Sequence, residues 1–445
     1  MRTLRGPLPL LSLALALHLG CATYSDRLTE TRLRVTAGDL EGGIGMLDGI
    51  LDVDESQPLP DKFDSDTALA VLERGTLLQA IGEYENAARD MGVADEQLQL
   101  LDIAGDAAGN IGKYIYSDSA AKYQASPTEK LSLNGFNMLN YLAEGNLDGA
   151  RVEARRFTVM RQYLREFAPE DDHGSFGSYL AGFVFERLGE VESAMRYYDE
   201  ALAMRRFETL RGPLARLSPR ALYRGQHVGP FLASGTPPPP PGANAAEILT
   251  VVSVGRVPFK IPERMPIGAA IGIGGAFISG NPDVLGYSVF KVVVYPELAP
   301  PDSVFDEARL RIDGEEALLE LASDLGAEIR REYESLKPRI LGAALSRMIV
   351  RAAAAEAARA AGGQQSSGLG WFLALLTEGA LVAVDKPDTR SWQFLPGRVF
   401  VSRETVTPGR HTVEIDLDGA QNDQWTVEVE APPGGFGVVV LTVPR

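Results

Sequence analysis

Two patterns of apolar and polar residues divide the chain. From residue 26 to about residue 210, apolar residues recur at the three- and four-residue intervals of an amphipathic helix, and strand signals are sparse. From Glu247 onward, apolar residues alternate with polar ones or form short runs that are rich in valine and bounded by Gly and Pro. The pattern predicts an α+β multidomain protein, in which a helical array precedes a mixed β/α region and a small C-terminal β-sandwich.

Four glycines punctuate the helical region at equivalent places. Gly38, Gly82, Gly145 and Gly189 are each followed by a polar residue, an apolar residue and, three positions later, a small residue. Glycine permits the tight turn between two antiparallel helices, and the small residue lets those helices approach each other closely. The pattern resembles the tetratricopeptide repeat, with irregular spacing that makes the array divergent. The alternative is an unrelated helical bundle with glycine turns.

A proline-rich stretch follows the helical region. Residues 237–241 are consecutive prolines, which favour a stiff extended conformation without ladder hydrogen bonds. We interpret residues 231–245 as a linker between a helical domain at 26–230 and a mixed β/α region at 246–386. We therefore expect few contacts across the linker and two separable halves. A polyproline ligand for another protein is the alternative interpretation of the run.

Residues 387–445 are predicted to form a separate all-β module. Within it, turn signals rich in Pro and Gly separate stretches with an apolar/polar alternation that buries one face of a sheet and leaves the other in water. The predicted strands cover residues 399–401, 411–415, 425–429 and 438–443. Four short strands of this kind are typical of a small sandwich.

The first residues of the chain have the order of a bacterial lipoprotein signal. Arg2 and Arg5 precede an apolar run at residues 8–17, and Cys21 follows shortly after it. Cys21 is the only cysteine in the chain. The resemblance implies that residues 1–21 form a lipoprotein signal segment and that Cys21 becomes the lipidated first residue of the mature protein.

An ordinary secretory signal is the alternative, with cleavage after Ala16 or Ala22 and an incidental cysteine. His18 favours this alternative, because lipoprotein signals usually carry Leu at that position. The most apolar later segment, residues 371–384, contains Glu378 and falls short of the roughly 20 residues that a membrane span needs. Membrane contact is therefore expected to come from the N-terminal anchor.

Composition excludes several classes of function. The formal net charge of −17 argues against nucleic-acid binding, which needs a basic footprint. A single cysteine allows no intramolecular disulfide and no thiolate metal site, and the four histidines are scattered along the sequence. The glycines at residues 268–280 lack the spacing of a dinucleotide fingerprint. We therefore predict neither a metal nor a cofactor.

One set of polar residues is a candidate site. Asp388, Arg390, Trp392 and Arg403 are predicted to form a buried polar cluster that joins the β module to the helices. Two roles remain open for the cluster, a structural one and recognition of a ligand. No spacing of acidic residues singles out a catalytic pair.

Three longer stretches resemble a family of uncharacterised bacterial envelope lipoproteins with a tetratricopeptide-like N-terminal half. They are residues 131–156, 254–260 and 388–396, of which the last, DTRSWQFLP, is the most specific. The resemblance implies export, anchoring in the outer membrane and a partner protein. Ala22, rather than Asp, follows Cys21, which by the usual sorting rule also points to the outer membrane.

These observations predict a non-enzymatic lipoprotein on the periplasmic face of the outer membrane that acts as a scaffold for another envelope protein. Arrays of helical hairpins bind extended segments or helices of their partners. The rival hypothesis is a module for glycan or peptidoglycan, in which the C-terminal β unit holds sugar against Trp392 or Trp425. A third hypothesis, a hydrolase, requires a cleft with perturbed titratable groups.

Overall fold

The computed structural model describes residues 22–54, 56–63, 66–100, 123–167, 174–283, 292–301, 303–361 and 387–445. The fold is mixed α+β, with helices throughout the N-terminal half and several β-sheets in the C-terminal region. Cys21, the predicted signal at 1–21 and the apolar segment at 371–384 lie outside the described residues. Within the described ranges, no helix has both the length and the hydropathy that crossing a bilayer requires.

The helices of the N-terminal half follow one another with short connections. They are α1 (Tyr24–Arg27), α2 (Thr29–Thr36), α3 (Leu40–Leu51), α4 (Thr67–Ala80), α5 (Tyr84–Gln97), α6 (Pro127–Ala143), α7 (Leu147–Phe167), α8 (Ser175–Arg187), α9 (Val191–Met204), α10 (Arg211–Leu217) and α11 (Val228–Ala233). Two further helices, α12 (Ile267–Gly274) and α13 (Leu325–Ala361), lie in the C-terminal region. Consecutive helices such as α4 and α5, α6 and α7, and α8 and α9 pack as hairpins.

The turn glycines take the conformation that a hairpin requires. Gly38, Gly82, Gly145 and Gly189 all have positive φ, with values of 87°, 84°, 69° and 75°. After Gly82, the backbone N–H of Glu83 donates to the carbonyl oxygen of Leu78, which would otherwise lack a donor at the C-terminal end of α4. A side chain at these positions would be strained, because L residues disfavour positive φ.

The strands of the C-terminal region form two larger sheets and one hairpin. They are β3 (Ala246–Val254), β4 (Phe259–Pro266), β5 (Val292–Ala299), β6 (Phe305–Ile312), β7 (Glu315–Ala317), β8 (Glu320–Asp324), β9 (Arg398–Val406), β10 (Gly409–Gly419), β11 (Asp423–Ala431) and β12 (Phe436–Val443). The order in one sheet is β11-β10-β6-β7 and in the other β12-β3-β9-β8. β4 pairs with β5, and the short β1 (Gln99–Leu100) pairs with β2 (Gln124–Ala125).

The expectation of a separate β module at 387–445 is wrong. β10 pairs with β6, and β9 and β12 flank β3, so each of the two larger sheets contains strands from both C-terminal regions. All nine residues of β3 are buried, as expected of a central strand covered on both faces. Their side chains alternate between the two sides of the sheet, where Ile248 and Val252 join the core between the sheets and Leu249 and Val251 join the helical core.

The two halves of the chain share one core. Leu69, Phe136 and Tyr179 of the helices belong to the same apolar cluster as Val251 and Val399 of the sheet. The prolines at 237–241 are largely exposed and have neither helix nor strand. The expectation that few contacts cross this linker is nevertheless wrong. The linker itself lies at the surface, but the helical half and the C-terminal half that it connects pack against each other in one core.

The first helices of the hairpins, α4, α6 and α8, mediate this packing. Nearly all of their residues are buried, since each has its hairpin partner on one side and the C-terminal half on the other. The ring of Phe183 in α8 meets Phe436 of β12 edge to face at 5.2 Å. The inner face of the helical array is thus covered by the rest of the same chain.

Candidate functional site

The segment at residues 387–397, here called the tether segment, lies between the helical half and the sheets. It has neither helix nor strand, yet every residue except the half-buried Asp388 is buried. Irregular segments normally run over the surface, because their backbone groups need water as a hydrogen-bond partner. The backbone of the tether segment must therefore find its partners within the protein.

Two carboxylates from the helical half supply those partners. Trp392 N donates to Glu129 Oε1 at 2.8 Å, while Gln393 N and Phe394 N donate to Glu73 Oε1 and Oε2 at 2.6 and 2.8 Å. Glu73 lies in α4 and Glu129 in the first turn of α6, so both project from the inner face of the array. Three consecutive backbone N–H groups are thereby satisfied without secondary structure.

Side chains fix the tether segment as well. The indole of Trp392 is fully buried and donates from Nε1 to Thr76 Oγ1 at 2.9 Å. Its ring meets the edge of Phe136 at 6.3 Å. From the N-terminal helices, Arg32 Nη1 donates to Gln393 Oε1 at 2.6 Å. Residues of α2, α4 and α6 therefore hold the segment in one position.

The predicted polar cluster divides into two. Asp388 and Arg390 form a bidentate pair, with Arg390 Nε 2.7 Å from Oδ1 and Nη2 2.6 Å from Oδ2. Arg403, on β9, instead donates to Glu186 of α8 at 2.8 Å and to Glu247 of β3 at 2.6 Å. The single cluster of Asp388, Arg390, Trp392 and Arg403 is therefore not formed, although Trp392 and Arg403 each bond to the helices.

The Arg403 cluster is a second buried connection between the halves. The guanidinium is 2 % exposed, and its two carboxylate partners are 10 % and 9 % exposed. Burial by itself would raise the pKa of Glu186, but the charge and hydrogen bond of Arg403, together with the charge of Arg187 and the hydrogen bond from Tyr198, lower that pKa to about 2. Arg403 Nη1 also donates to Tyr198 OH at 2.9 Å. Arg187 and Arg216 also pair with Glu247, so this carboxylate has several cationic partners, as a buried charge requires.

Several buried acids in the region have raised pKa values. Burial raises the pKa of Glu73 to about 8 although two backbone N–H groups oppose the shift. Burial likewise raises the pKa of Glu332 to about 7 and that of Glu328 to about 8, both in α13. We did not select these acids from the sequence. A signal existed for Glu73, because Glu73 and Arg74 are the only charged residues in α4.

A cavity lies beside the tether segment, with Trp392 and Ser391 in its wall. Its volume is about 130 Å³, enough for several water molecules or part of a small ligand. The other walls come from the β4–β5 hairpin, from α13 and from the residues before α6. Its lining combines an apolar surface with the charged side chains of Glu129, Lys260, Glu332, Arg347 and Asp388.

The carboxyl groups of the cavity are engaged in holding the fold. Glu129 caps the start of α6 at Ser126 N and also accepts from Tyr123 OH at 2.6 Å. Glu332 accepts from Thr128 N at 3.2 Å. The cavity therefore contains a titratable group with a shifted pKa, but its acids already serve as acceptors for backbone and side-chain donors. This arrangement favours binding over acid–base catalysis.

The two tryptophans predicted to bind sugar are not arranged as a pair. Trp392 is fully buried, while Trp425, on β11, is 37 % exposed. The two tryptophans named for sugar binding therefore do not form an exposed pair on one sheet face. Across the described ranges, no group of three or more His, Cys, Asp or Glu side chains is arranged to hold a metal ion.

Comparison of the chain with protein-family models, with curated proteins and with solved structures finds no match. The resemblance to envelope lipoproteins therefore remains a prediction from the sequence. The assignment of a role to the tether segment, the Arg403 cluster and the cavity depends on their geometry.

Proposed function

We propose that this chain is a non-enzymatic scaffold protein, anchored through a lipidated Cys21 to the periplasmic face of the outer membrane, that binds another envelope protein. One observation carries the proposal. The inner face of the hairpins, which we consider tetratricopeptide-like, holds a segment without helix or strand through its backbone N–H groups. Binding an extended segment on an inner face is the mode by which hairpin arrays recognise partners.

In this chain the inner face is occupied in cis. The tether segment and β12 cover α4, α6 and α8, so an external peptide would have to displace them. Because the inner face is covered, we place the partner on the outer face of the array. A partner that binds there would meet a rigid body, since the two halves share buried polar contacts.

The outer helix α7 offers a surface for such a partner. Val152 and Val159 are 48 % and 70 % exposed and are seven residues apart, which places them on the same side of the helix. Arg155 lies between them and is also exposed. Two exposed apolar side chains beside a cation provide a small contact surface of the kind found at protein interfaces.

Site-specific photo-crosslinking in intact cells tests this proposal. A photoreactive amino acid at Val159 should give a discrete crosslinked product with a second envelope protein. The matched control places the same residue at Glu85, an exposed position on the neighbouring outer helix α5. Equal products from both positions, or none from Val159, would contradict a partner on α7.

Fractionation tests the proposed anchor. Replacing Cys21 with Ser should release the mature protein from membranes, because stable anchoring needs two or more acyl chains and no other apolar anchor is proposed. The wild-type protein should be recovered with outer membranes. Recovery of wild-type protein with inner membranes, or pelleting of the serine variant with membranes, would argue against this localisation.

The rival role, binding of glycan or peptidoglycan, has no comparable support. Burial removes Trp392 from any sugar surface, and Trp425 remains as a single half-exposed ring. Co-sedimentation with purified peptidoglycan measures this role directly. Saturable co-sedimentation that is lost in Trp425→Ala would move the rival to first place.

A further inference from the structure

The cavity beside the tether segment has one apolar side that follows a helix. Ile329, Leu336, Ile340 and Ala343 of α13 line it at intervals of seven, four and three residues, which places them along one face of that helix. On the opposite side of the cavity, the lining residues are Pro258, which directly precedes β4, and Leu298, which lies in β5. An elongated apolar wall of this kind matches an alkyl chain, whose burial is favourable by about 0.8 kcal/mol per methylene group.

One cation in the lining is not neutralised. Lys260, on β4, is half-buried, and no carboxylate among the described residues lies within ion-pair distance of its ammonium group. Its cross-strand neighbour is Leu298, so the ammonium and the apolar wall belong to the same face of the β4–β5 hairpin. A half-buried unpaired cation next to an apolar wall is complementary to an anion that carries an apolar chain.

The acids of the lining limit the charge of that anion. Asp388 is paired with Arg390, whereas Glu129 and Glu332 have no arginine or lysine among their hydrogen-bond partners. A phosphate dianion would be repelled by Glu129, and by the ionised fraction of Glu332, more strongly than a singly charged carboxylate. The lining therefore favours a monocarboxylate.

We infer that this cavity is a binding site for a single-chain amphiphilic monocarboxylate, with the carboxylate at Lys260 and the alkyl chain along α13. The site is independent of the scaffold role proposed above, since the partner surface of that role lies on α7. A defect in one would leave the other unchanged.

Isothermal titration calorimetry with decanoate, below its micelle concentration, tests the inference. The protein is the chain from Ala22 onward, which contains every described residue, prepared without detergent. Decanoate should bind at one site per chain. Decyltrimethylammonium, which has the same chain and the opposite charge, should not bind, and decyl phosphate should bind more weakly than decanoate.

Two variants separate the parts of the site. Lys260→Met keeps the apolar stem and removes the charge, and it should weaken decanoate binding about tenfold or more, as expected for loss of a charge-assisted hydrogen bond. Ala343→Phe should fill the cavity and abolish binding. Lys62→Met, at an exposed lysine outside the cavity, is the matched control and should leave the affinity unchanged.

Circular dichroism of each variant establishes that it is folded. If Ala343→Phe does not fold, the affinity of Lys260→Met for decanoate alone tests the inference. The inference is overturned if decanoate does not bind the wild-type chain, if Lys260→Met binds decanoate as tightly as wild type, or if decyltrimethylammonium binds equally well.

Discussion

Glu73 and Gln393 are joined by a hydrogen bond of 2.6 Å between side-chain carboxylate and backbone N–H, although 320 residues separate them in sequence. The second oxygen of the same carboxylate accepts the next N–H, that of Phe394, at 2.8 Å. A helix of the N-terminal half thereby provides hydrogen bonds that a strand partner would normally provide. The helical half and the tether segment consequently depend on each other for stability.

Replacement of Glu73 measures this dependence. Glu73→Ala should destabilise the protein by at least about 2 kcal/mol, because it leaves two buried N–H groups without acceptors at about 1–3 kcal/mol each. Glu73→Gln, which keeps one acceptor oxygen, should have an intermediate effect. Urea unfolding gives the free energies, with the exposed Glu83→Ala as control. A loss below about 0.5 kcal/mol for Glu73→Ala would mean that other groups satisfy these donors.

The Arg403 cluster predicts a strong contrast between two arginines. Arg403→Met removes the most buried of the three arginines around Glu186 and Glu247. Arg187 and Arg216 still pair with these carboxylates, so the loss should be about 1.5–3 kcal/mol, as for hydrogen bonds to a charged group. Arg410→Met removes an exposed pair with Glu428 and should cost about 0–1 kcal/mol. Thermal or urea unfolding of both variants makes the comparison. Similar small losses would show that the cluster is not coupled to stability.

The raised carboxyl pKa values predict a pH dependence. For Glu73, Glu328 and Glu332 the folded-state pKa of about 7 to 8 lies above the ordinary value of 4.5, so the folded protein binds these protons more tightly than the unfolded chain. Their contribution to stability is complete below about pH 4.5 and is lost as the pH rises through 7 to 8. The melting temperature should therefore fall between pH 5 and about pH 8.

A neutral replacement identifies the groups responsible. Glu328→Gln should make the fall in melting temperature between these pH values shallower, because the amide does not titrate. The variant should resemble wild type at the acidic end and exceed it at the alkaline end. An unchanged slope would remove Glu328 from this explanation.

Close packing inside the third hairpin predicts sensitivity at Gly182. A Cβ atom there would lie 2.4 Å from the ring of Tyr198, a distance that requires the two helices to shift. Gly182→Ala should therefore cost about 1–3 kcal/mol through overpacking. Gly229→Ala, in α11, meets nothing within 4 Å and serves as the control. Equal melting temperatures for both variants would contradict the packing between α8 and α9.

The sequence predicted the coarse class well, and local physics explains why. Helical periodicity and alternation each depend on neighbouring residues, so the change near Glu247 identified the mixed α+β fold. The tetratricopeptide-like array is a finer assignment and stays a prediction. The hairpin turns are one example, because their positive φ favours glycine, and glycine can be recognised in the sequence.

Long-range pairing was not predictable in the same way. Alternation in β10 identifies a buried face, but it contains no information that β6 is the neighbouring strand. The division of the predicted cluster has a similar cause. Arg403 and Arg390 are close in sequence, but Arg403 is the sixth residue of β9, and the strand places it beside Glu186 and away from the tether segment. The cavity likewise depends on elements that only tertiary packing brings together.

Hydrogen exchange at three backbone amides tests the central claim most directly. The claim is that the inner face of the helical array holds the tether segment in cis. Exchange of the Trp392, Gln393 and Phe394 amides should be as slow as exchange in the central strand β3, although the segment has no secondary structure. Residues 237–241 lack amide protons, so the adjoining exposed residues 242–244 provide the fast-exchanging reference. Exchange of the three tether amides at the rate of this reference would contradict the account.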